Sequence, residues 1–270
     1  MGALALAPAR RLASRVLPID AASPLDATAL GLTLVVAGSQ IGLQVSTNVL
    51  ATVAAGTPET PLDQVLTELP FLLGAVLGVG LGLRRGPRAV VSRLGFTVPR
   101  GWQILLGIAC AGAFYAFGLG ADALQRWLTP DVAAQVGSAT RQLYRGIDNP
   151  VGVATIALVP AICEETLFRG ALQPRLGMIW TAIVFALLHT QYGFSIDELA
   201  VLILAFGLGA LRRFTNTTTS MLCHAVYNGI TAVQVASILA GPGLALEGIV
   251  VASAAIWFAA SRHRAGPSVS

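Results

Sequence analysis

The sequence predicts an all-α fold, a polytopic transmembrane helical bundle. Of its 270 residues, 55% are apolar and only 11% are charged, and the mean hydropathy is +0.73. A soluble domain typically carries about 25% charged residues. The apolar residues also form runs near the 20 or so residues that a spanning helix needs. At this length, one bundle is expected rather than two domains.

The apolar runs mark about eight candidate spans within a single transmembrane domain at residues 27–261. Residues 1–26 are expected to form a cytoplasmic or interfacial arm and residues 262–270 a cytoplasmic tail. The fifth run is short for a span. In chain order, the spans are expected at about residues 27–55, 64–83, 102–124, 150–170, 178–189, 199–211, 218–239 and 244–260.

The charges sort these spans by the positive-inside rule. All 17 basic residues are arginine, and the net charge is +4. With both termini in the cytoplasm, only Arg126, Arg141 and Arg145 fall outside, where several acidic residues also lie. The arginines are scattered through short loops, so they indicate topology rather than nucleic-acid binding. We therefore expect a multi-pass plasma-membrane protein.

Small residues at helical spacing suggest where the bundle closes. Gly38 and Gly42 form one GxxxG pair, and Gly74, Gly78 and Gly82 form a double one. Such spacing lets helix backbones approach each other. We expect close helix packing at these glycines.

Two adjacent acids, Glu164 and Glu165, interrupt the apolar stretch 151–170. A carboxylate at membrane depth costs roughly 2.5–3.5 kcal/mol on insertion scales, and an intramembrane ionisable group indicates function by default. Glu165 and Arg169 are i,i+4 in the favourable orientation for an ion pair. Glu164 then points about 100° away without its own cation, and it could take a proton from water. Alternatively, both acids are solvated at a helix end.

Two histidines lie in apolar segments, whereas His263 lies in the polar tail and is expected to have no role. Phe185 and His189 share a face of the fifth span, and His224 and Asn228 share a face of the seventh. A single histidine of this kind is more often a packing residue. Two of them, together with a glutamate pair, favour a functional site.

Other hydrolytic motifs are missing from the sequence. It contains no His-Glu-x-x-His zinc helix, no Gly-x-Ser-Gly motif and no pair of intramembrane aspartates. Cys110, Cys163 and Cys223 are expected to be small buried hydrophobes. A thiol nucleophile at Cys163 remains possible, although helix geometry turns it about 100° away from Glu164.

The order of the three motifs resembles the CPBP family, the CAAX-processing and bacteriocin-processing (Abi) membrane proteins that include Rce1-type endopeptidases. The resemblance covers about residues 150–240. It rests on Glu-Glu-x-x-x-Arg, then Phe-x-x-x-His, then His-x-x-x-Asn, which here are Glu164, Glu165, Arg169, Phe185, His189, His224 and Asn228.

The resemblance implies an eight-helix, glutamate-dependent intramembrane endopeptidase whose site faces the cytoplasm. Glu164 would activate water that His189 helps to hold, and His224 and Asn228 would stabilise the oxyanion. Glu165, Arg169 and Phe185 would shape the site. The substrate would be a membrane-embedded or lipid-modified peptide.

Three alternatives remain open at this point. Zinc at Glu164, His189 and His224 is possible, but Asn228 suits an oxyanion better than a metal, so no cofactor is expected. The same polar residues could instead tie helices together in a non-enzymatic immunity, resistance or peptide-binding protein. A proton-coupled transporter is less favoured, because the ion pair and the His-x-x-x-Asn helix add nothing obvious to transport.

Overall fold

Helices account for almost all of the regular structure in a computed structural model that describes residues 7–17, 19–235, 248, 249, 252, 253 and 256. No strand occurs among these residues, which confirms the all-α class. The predicted eighth span lies mostly outside the described residues, and so do His263 and the predicted tail.

Eleven α-helices follow one another in the described part of the chain, with a π-helical segment at Thr166–Leu172 between the eighth and ninth. Short 3₁₀ turns lie at Arg145–Ile147 and Thr190–Tyr192. The helices are α1 (Ala7–Ala13), α2 (Pro24–Ser46), α3 (Val49–Ala55), α4 (Pro61–Gly78), α5 (Pro87–Arg93), α6 (Gly101–Leu128), α7 (Pro130–Tyr144), α8 (Pro150–Glu165), α9 (Gln173–Leu187), α10 (Ile196–Phe214) and α11 (Thr217–Val235).

Local capping explains where the helices of the site begin. The Thr60 hydroxyl accepts a hydrogen bond from the Asp63 backbone N–H, and the Asp63 side chain accepts one from Thr60, a complete capping box. The side chains of Asn149 and Ser195 cap α8 and α10, and each accepts one hydrogen bond from a backbone N–H in the first turn. Both α4 and α8 also carry proline in their first turn, where no backbone hydrogen bond is lost.

Three helical stretches, Leu25–Ser46, Gly101–Leu128 and Pro150–Leu187, are long and apolar enough to cross a membrane. The last one merges the predicted fourth and fifth spans across a kink at Gly177, whose φ of 77° breaks the helix. These stretches confirm a membrane bundle, and the number of eight spans stays a prediction.

One boundary differs from the sequence expectation. The predicted first span ends early, because Asn48 caps a separate helix, α3, after α2 has ended at Ser46. The stretch between the predicted third and fourth spans contains the amphipathic helix α7, which starts at Pro130 and packs against α3.

The helices that carry the polar motifs pack against one another. Helix α8 packs against α4 on one side and against α11 on the other, while α9 packs against α10. The π segment contacts α4 and α9. Motifs that are 20 to 60 residues apart in sequence are therefore brought to the same level of the bundle.

The expectation of close packing at the GxxxG glycines is wrong within the described chain. No atom lies within 4 Å of the place that a Cβ would take at Gly38, Gly42, Gly74 or Gly78. Gly82 lies beyond α4 in a turn, with a φ of 74°. Closer contacts occur at glycines outside the motif. At Gly152, for example, a Cβ would collide with the Ile147 carbonyl oxygen.

We expect Gly152→Ala to destabilise the protein and Gly42→Ala to leave its stability unchanged or slightly raised. The first change adds a methyl group against backbone, and overpacking costs about 1–3 kcal/mol. The second adds helix propensity in open space. Thermal unfolding of the two variants in one detergent measures the difference, and equal melting temperatures would contradict the packing described here.

Candidate functional site

A cavity of about 560 Å³ lies between α4, α8, the end of α9 and α11. Four of the predicted site residues, Glu164, His189, His224 and Asn228, line it together with Phe185. A larger cavity of about 700 Å³ lies by α6, α7 and α10, and its lining includes none of these residues. The structure therefore brings the three sequence motifs to a single cavity.

Glu165 lies behind the cavity wall, fully buried, and is the centre of a hydrogen-bond network. Ser220 Oγ donates to Glu165 Oε2 at 2.5 Å. His224 Nδ1 lies 3.1 Å from Glu165 Oε1, and Arg169 Nε lies 3.4 Å from Oε2. Two partners of this carboxylate thus come from α11 and one from the π segment.

Arg169 is the largest fully buried side chain among the described residues. Its Nη2 donates to the Ala205 carbonyl oxygen at 3.4 Å, and its guanidinium lies 4.6 Å from the Phe185 ring centroid. The Nε and Nη1 groups have no hydrogen-bond partner of good geometry. The contact with Glu165 is therefore chiefly a charge interaction, supplemented by the face of the Phe185 ring.

His224 connects the buried network to the cavity. A carboxylate only accepts, so Nδ1–H donates to Glu165 and fixes the orientation of the ring. Nε2 is left on the cavity side, 3.9 Å from Glu164 Oε2. That distance is too long for a direct hydrogen bond. The Glu164 and His224 side chains are thus adjacent and both accessible to a small molecule in the cavity.

His189 is oriented by its own helix. Its Nδ1 lies 2.8 Å from the Phe185 carbonyl oxygen, so Nδ1 carries the proton and Nε2 is available as an acceptor. The ring packs against Phe185 at 4.7 Å and stacks on Tyr192 at 6.4 Å between centroids. Burial raises the pKa of Tyr192 to about 12, so this wall of the cavity carries a neutral phenol.

Asn228 also faces the cavity, one helical turn after His224 on α11. Its Nδ2 donates to the Ile156 carbonyl oxygen of α8 at 3.3 Å. This bond is long and leaves the second N–H of the amide available. The carboxamide therefore can donate to an oxygen atom bound in the cavity.

Two residues of the site were missed by sequence reasoning. Ser220 gives no sequence signal, because serine is common in such helices and its bond to Glu165 depends on tertiary packing. Glu68 does give one, since it is an acid within an apolar run on α4. It is only 6% exposed and lines the same cavity as Glu164.

The zinc alternative depends on the placement of the candidate ligands. Within the described residues, no three His, Cys, Asp or Glu side chains converge closely enough to hold a metal ion. The fourth polar residue of the cavity, Asn228, offers a carboxamide, which suits an oxyanion better than a metal ion.

Comparison with known families agrees with this placement. Residues 147–230 match the family described as type II CAAX prenyl endopeptidase Rce1-like. The segment is therefore similar to Rce1-like endopeptidases, and it is called the Rce1-like domain from here on. All seven residues singled out in the sequence motifs lie inside the Rce1-like domain, whereas Glu68 and the rest of α4 precede it. No curated protein and no solved structure matches the chain significantly.

The match confirms the resemblance drawn from the motifs, and it indicates a protease. Together with the apolar helices, it also indicates a membrane protein.

We expect Arg169→Met to be strongly destabilising, because it leaves the buried Glu165 carboxylate without its cation. Breaking a buried pair costs about 3–5 kcal/mol, whereas replacing both partners is often tolerated. The double variant Glu165→Gln/Arg169→Met should therefore recover most of the loss. Chemical or thermal unfolding of the purified variants gives the comparison.

The control for this experiment is Arg126→Met. Arg126 also pairs with an acid one turn away, Asp122, but both side chains are largely exposed. Surface pairs contribute about 0–1 kcal/mol. If Arg169→Met costs no more than Arg126→Met, the buried pair does not hold the site together.

Proposed function

We propose that this protein is an intramembrane endopeptidase that hydrolyses a peptide bond in a membrane-embedded or lipid-modified peptide. The observation that carries the proposal is the single cavity in which Glu164 lies beside two histidines and an asparagine, inside an Rce1-like domain. Peptide hydrolysis needs an activated water and a pre-organised partner for the oxyanion. The cavity offers side chains for both.

Glu164 is the proposed general base. A water between its carboxylate and His189 Nε2 would donate one hydrogen bond to each. As the water oxygen attacks the carbonyl carbon, Glu164 accepts the released proton and later delivers it to the leaving nitrogen. One proton thus passes from water to the amine product, and the hydroxyl remains on the new carboxyl group.

His224 and Asn228 are the proposed oxyanion donors. In this role His224 would act in its doubly protonated form, with Nδ1–H donating to the Glu165 carboxylate and Nε2–H donating into the cavity. Nε2 would then point at the tetrahedral oxygen alongside the Asn228 amide. In this scheme, Glu165 and Arg169 do not touch the substrate. They position His224.

The proposed substrate class follows from the walls of the cavity. Apolar and aromatic side chains such as Phe71, Phe114 and Leu208 surround the polar residues. A volume near 560 Å³ is in the range of sites that enclose a ligand of a few residues' size. This setting suits an extended segment of a peptide held at the bilayer, with or without a lipid chain, and not a nucleic acid.

We propose that the reaction needs no metal or other cofactor. The support is chemical: the carboxamide of Asn228, which lines the cavity with the two histidines, is a poor metal ligand and a good donor to an oxyanion. A chelator such as EDTA is therefore expected to leave cleavage unaffected, and loss of cleavage that added zinc restores would contradict this part of the proposal.

We further propose a multi-pass protein of the plasma membrane with its arginine-rich end in the cytoplasm. The support for the side of access is the lining of the cavity. It includes Glu59 and Asp148, just before α4 and α8, and Gln191, in the turn before α10. Burial and the neighbouring Asp63 raise the pKa of Glu59. On this arrangement the mouth lies opposite the arginines, which differs from the cytoplasmic access expected from the sequence.

We expect Glu164→Ala and His189→Ala to abolish detectable cleavage, since loss of a general base or its partner costs about 10²–10⁴-fold. Asn228→Ala should lower kcat by about 10²–10³-fold, the loss typical of one oxyanion donor. The assay uses quenched fluorescent peptides, lipidated and unmodified, with protein in detergent or nanodiscs.

Cys163→Ala is the matched control, because it changes the residue next to Glu164 and removes the alternative thiol nucleophile. It should retain cleavage. If Cys163→Ala alone were inactive, a thiol mechanism would replace ours. If the Glu164 and His189 variants kept wild-type rates, the polar cluster would be structural, as in the non-enzymatic immunity or peptide-binding alternative.

The side of access is tested by a matched pair of substitutions, Arg145→Cys and Arg88→Cys, each in a Cys110→Ala background. Both arginines are exposed, and they lie at opposite ends of the bundle. A membrane-impermeant maleimide added to intact cells should modify Cys at 145 alone, with position 88 reacting after permeabilisation. If position 88 were labelled in intact cells and position 145 only after permeabilisation, the cavity mouth would face the cytoplasm.

A further inference from the structure

A larger cavity of about 700 Å³ adjoins the cavity that contains Glu164. We call the larger one, which is lined by residues such as Tyr115, Ala134 and Ala200, the side cavity, and the other one the Glu164 cavity. Six residues line both cavities and therefore form the wall between them. They come from α7, the turn before α10, α10 itself and α11, and they are Thr140, Tyr192, Val201, Leu204, Tyr227 and Thr231.

Helix α7 runs alongside both cavities. Ala133, Gly137 and Thr140 line the side cavity, and Thr140 and Tyr144 line the Glu164 cavity. These residues recur at three- and four-residue spacing, so they share one face of the helix. From Ala133 to Tyr144 this face is about 16 Å long, a distance that an extended peptide covers in about five residues. The two cavities therefore lie end to end along one continuous helix surface.

Three hydroxyl groups on the shared wall are available for hydrogen bonds. Within the described residues, no protein group forms a hydrogen bond with the side-chain hydroxyl of Thr140, Tyr192 or Tyr227, and all three residues are only partly buried. A hydroxyl both donates and accepts, so these groups can pair with the backbone N–H and C=O groups of an extended chain. A hydrocarbon chain against this wall would leave them unpaired, which costs free energy.

Most charges of the side cavity have partners within the protein. Arg126 pairs with Asp122, and an amide of α6 donates to the Asp197 carboxylate at 2.6 Å. The fourth charged residue, Arg141, is exposed to solvent. Most of the other lining residues are apolar. The side cavity therefore suits an uncharged, apolar stretch of a peptide.

We propose that the side cavity is a second substrate-binding site, into which a peptide held beside Glu164 continues past Tyr192 and Tyr227. The inference rests on the proposed peptidase function, which places the scissile bond in the Glu164 cavity. The residues on one side of that bond would then lie along α7, with their backbone paired to the wall hydroxyls and their apolar side chains in the side cavity. Substrates would be selected by their length and by apolar residues at a distance from the cleaved bond.

The first test measures cleavage of a series of reporter peptides in which apolar residues are added one at a time at either end of a short core. Each hydrogen bond to the added residues is expected to raise kcat/KM by about 2–10-fold, so the three hydroxyls predict a gain of about 10-fold or more for extension at one end. Ala134→Trp fills part of the side cavity and should remove most of this gain. Because Ala134 is exposed, the larger side chain displaces no core residue.

Gln135→Trp is the matched control, because Gln135 is exposed, lies on the opposite face of α7 and lines neither cavity. Its gain with peptide length should equal that of the wild type. No gain from extension at either end, or an equal loss of the gain in the two tryptophan variants, would overturn the proposal. If only lipidated reporters lost rate in Ala134→Trp, the side cavity would hold the lipid chain and the proposal would be wrong.

The second test measures binding without cleavage. Ala134→Cys and Gln135→Cys are each made in a Glu164→Gln/Cys110→Ala background, in which the remaining native cysteines, Cys163 and Cys223, are buried. The longest reporter peptide of the series, at saturating concentration, should slow maleimide labelling at position 134 several-fold and leave position 135 unchanged. The short core peptide should slow neither.

The two proposals fail separately in this pair of tests. Protection of position 134 without cleavage of any reporter by the wild-type protein would remove the peptidase proposal and leave the side cavity as a peptide-binding site. Cleavage without protection of position 134 by any reporter would leave the peptidase proposal and overturn the side-cavity proposal. Absence of both would overturn both.

Discussion

The contact between Glu165 and Arg169 is the interaction on which the rest of this bundle depends. Both side chains are almost completely buried in a part of the chain that is otherwise apolar. Neither charge is tolerable alone in such surroundings, so each requires the other. Through Ser220, His224 and the Ala205 carbonyl oxygen, the pair also links α8 and the π segment to α10 and α11. A local ion pair within one helical stretch thus determines how distant helices meet.

The two adjacent glutamates have different surroundings and therefore can have different roles. Glu165 points into the protein, where a cation and two donors saturate it. Glu164 projects about 100° away into the cavity, where it lies beside His224 and shares the lining with Glu68. The first can serve as a fixed negative charge that orients an imidazole. Glu164 has no such partners and can accept a proton, as the general base in peptide hydrolysis must.

Much of the site could be predicted from the sequence, because polar residues in apolar runs are expensive and their order is specific. Glu164, His189, His224 and Asn228 were found this way. Glu68 carries the same signal but was overlooked, since a single acid without a motif gives no partner. Its place in the same cavity as Glu164 depends on how α4 packs against α8. The prediction of close packing at the GxxxG glycines was wrong for a related reason. The spacing permits two helix backbones to approach each other, but it does not determine which helix lies opposite. Helix α7 is amphipathic and has no long apolar run, so a search for membrane spans does not mark it.

The π-helical segment at Thr166–Leu172 has a consequence for how this chain can change over evolutionary time. Its i→i+5 pattern accommodates one more residue than a regular turn, and it lies between Glu165 and the bend at Gly177. Deleting a single residue there can be absorbed by a return to ordinary winding, because the π segment holds one residue more than an α-helix that turns through the same angle. The helix beyond Gly177 would then keep close to its present orientation, so this short interval tolerates the loss of one residue where a regular helix would not.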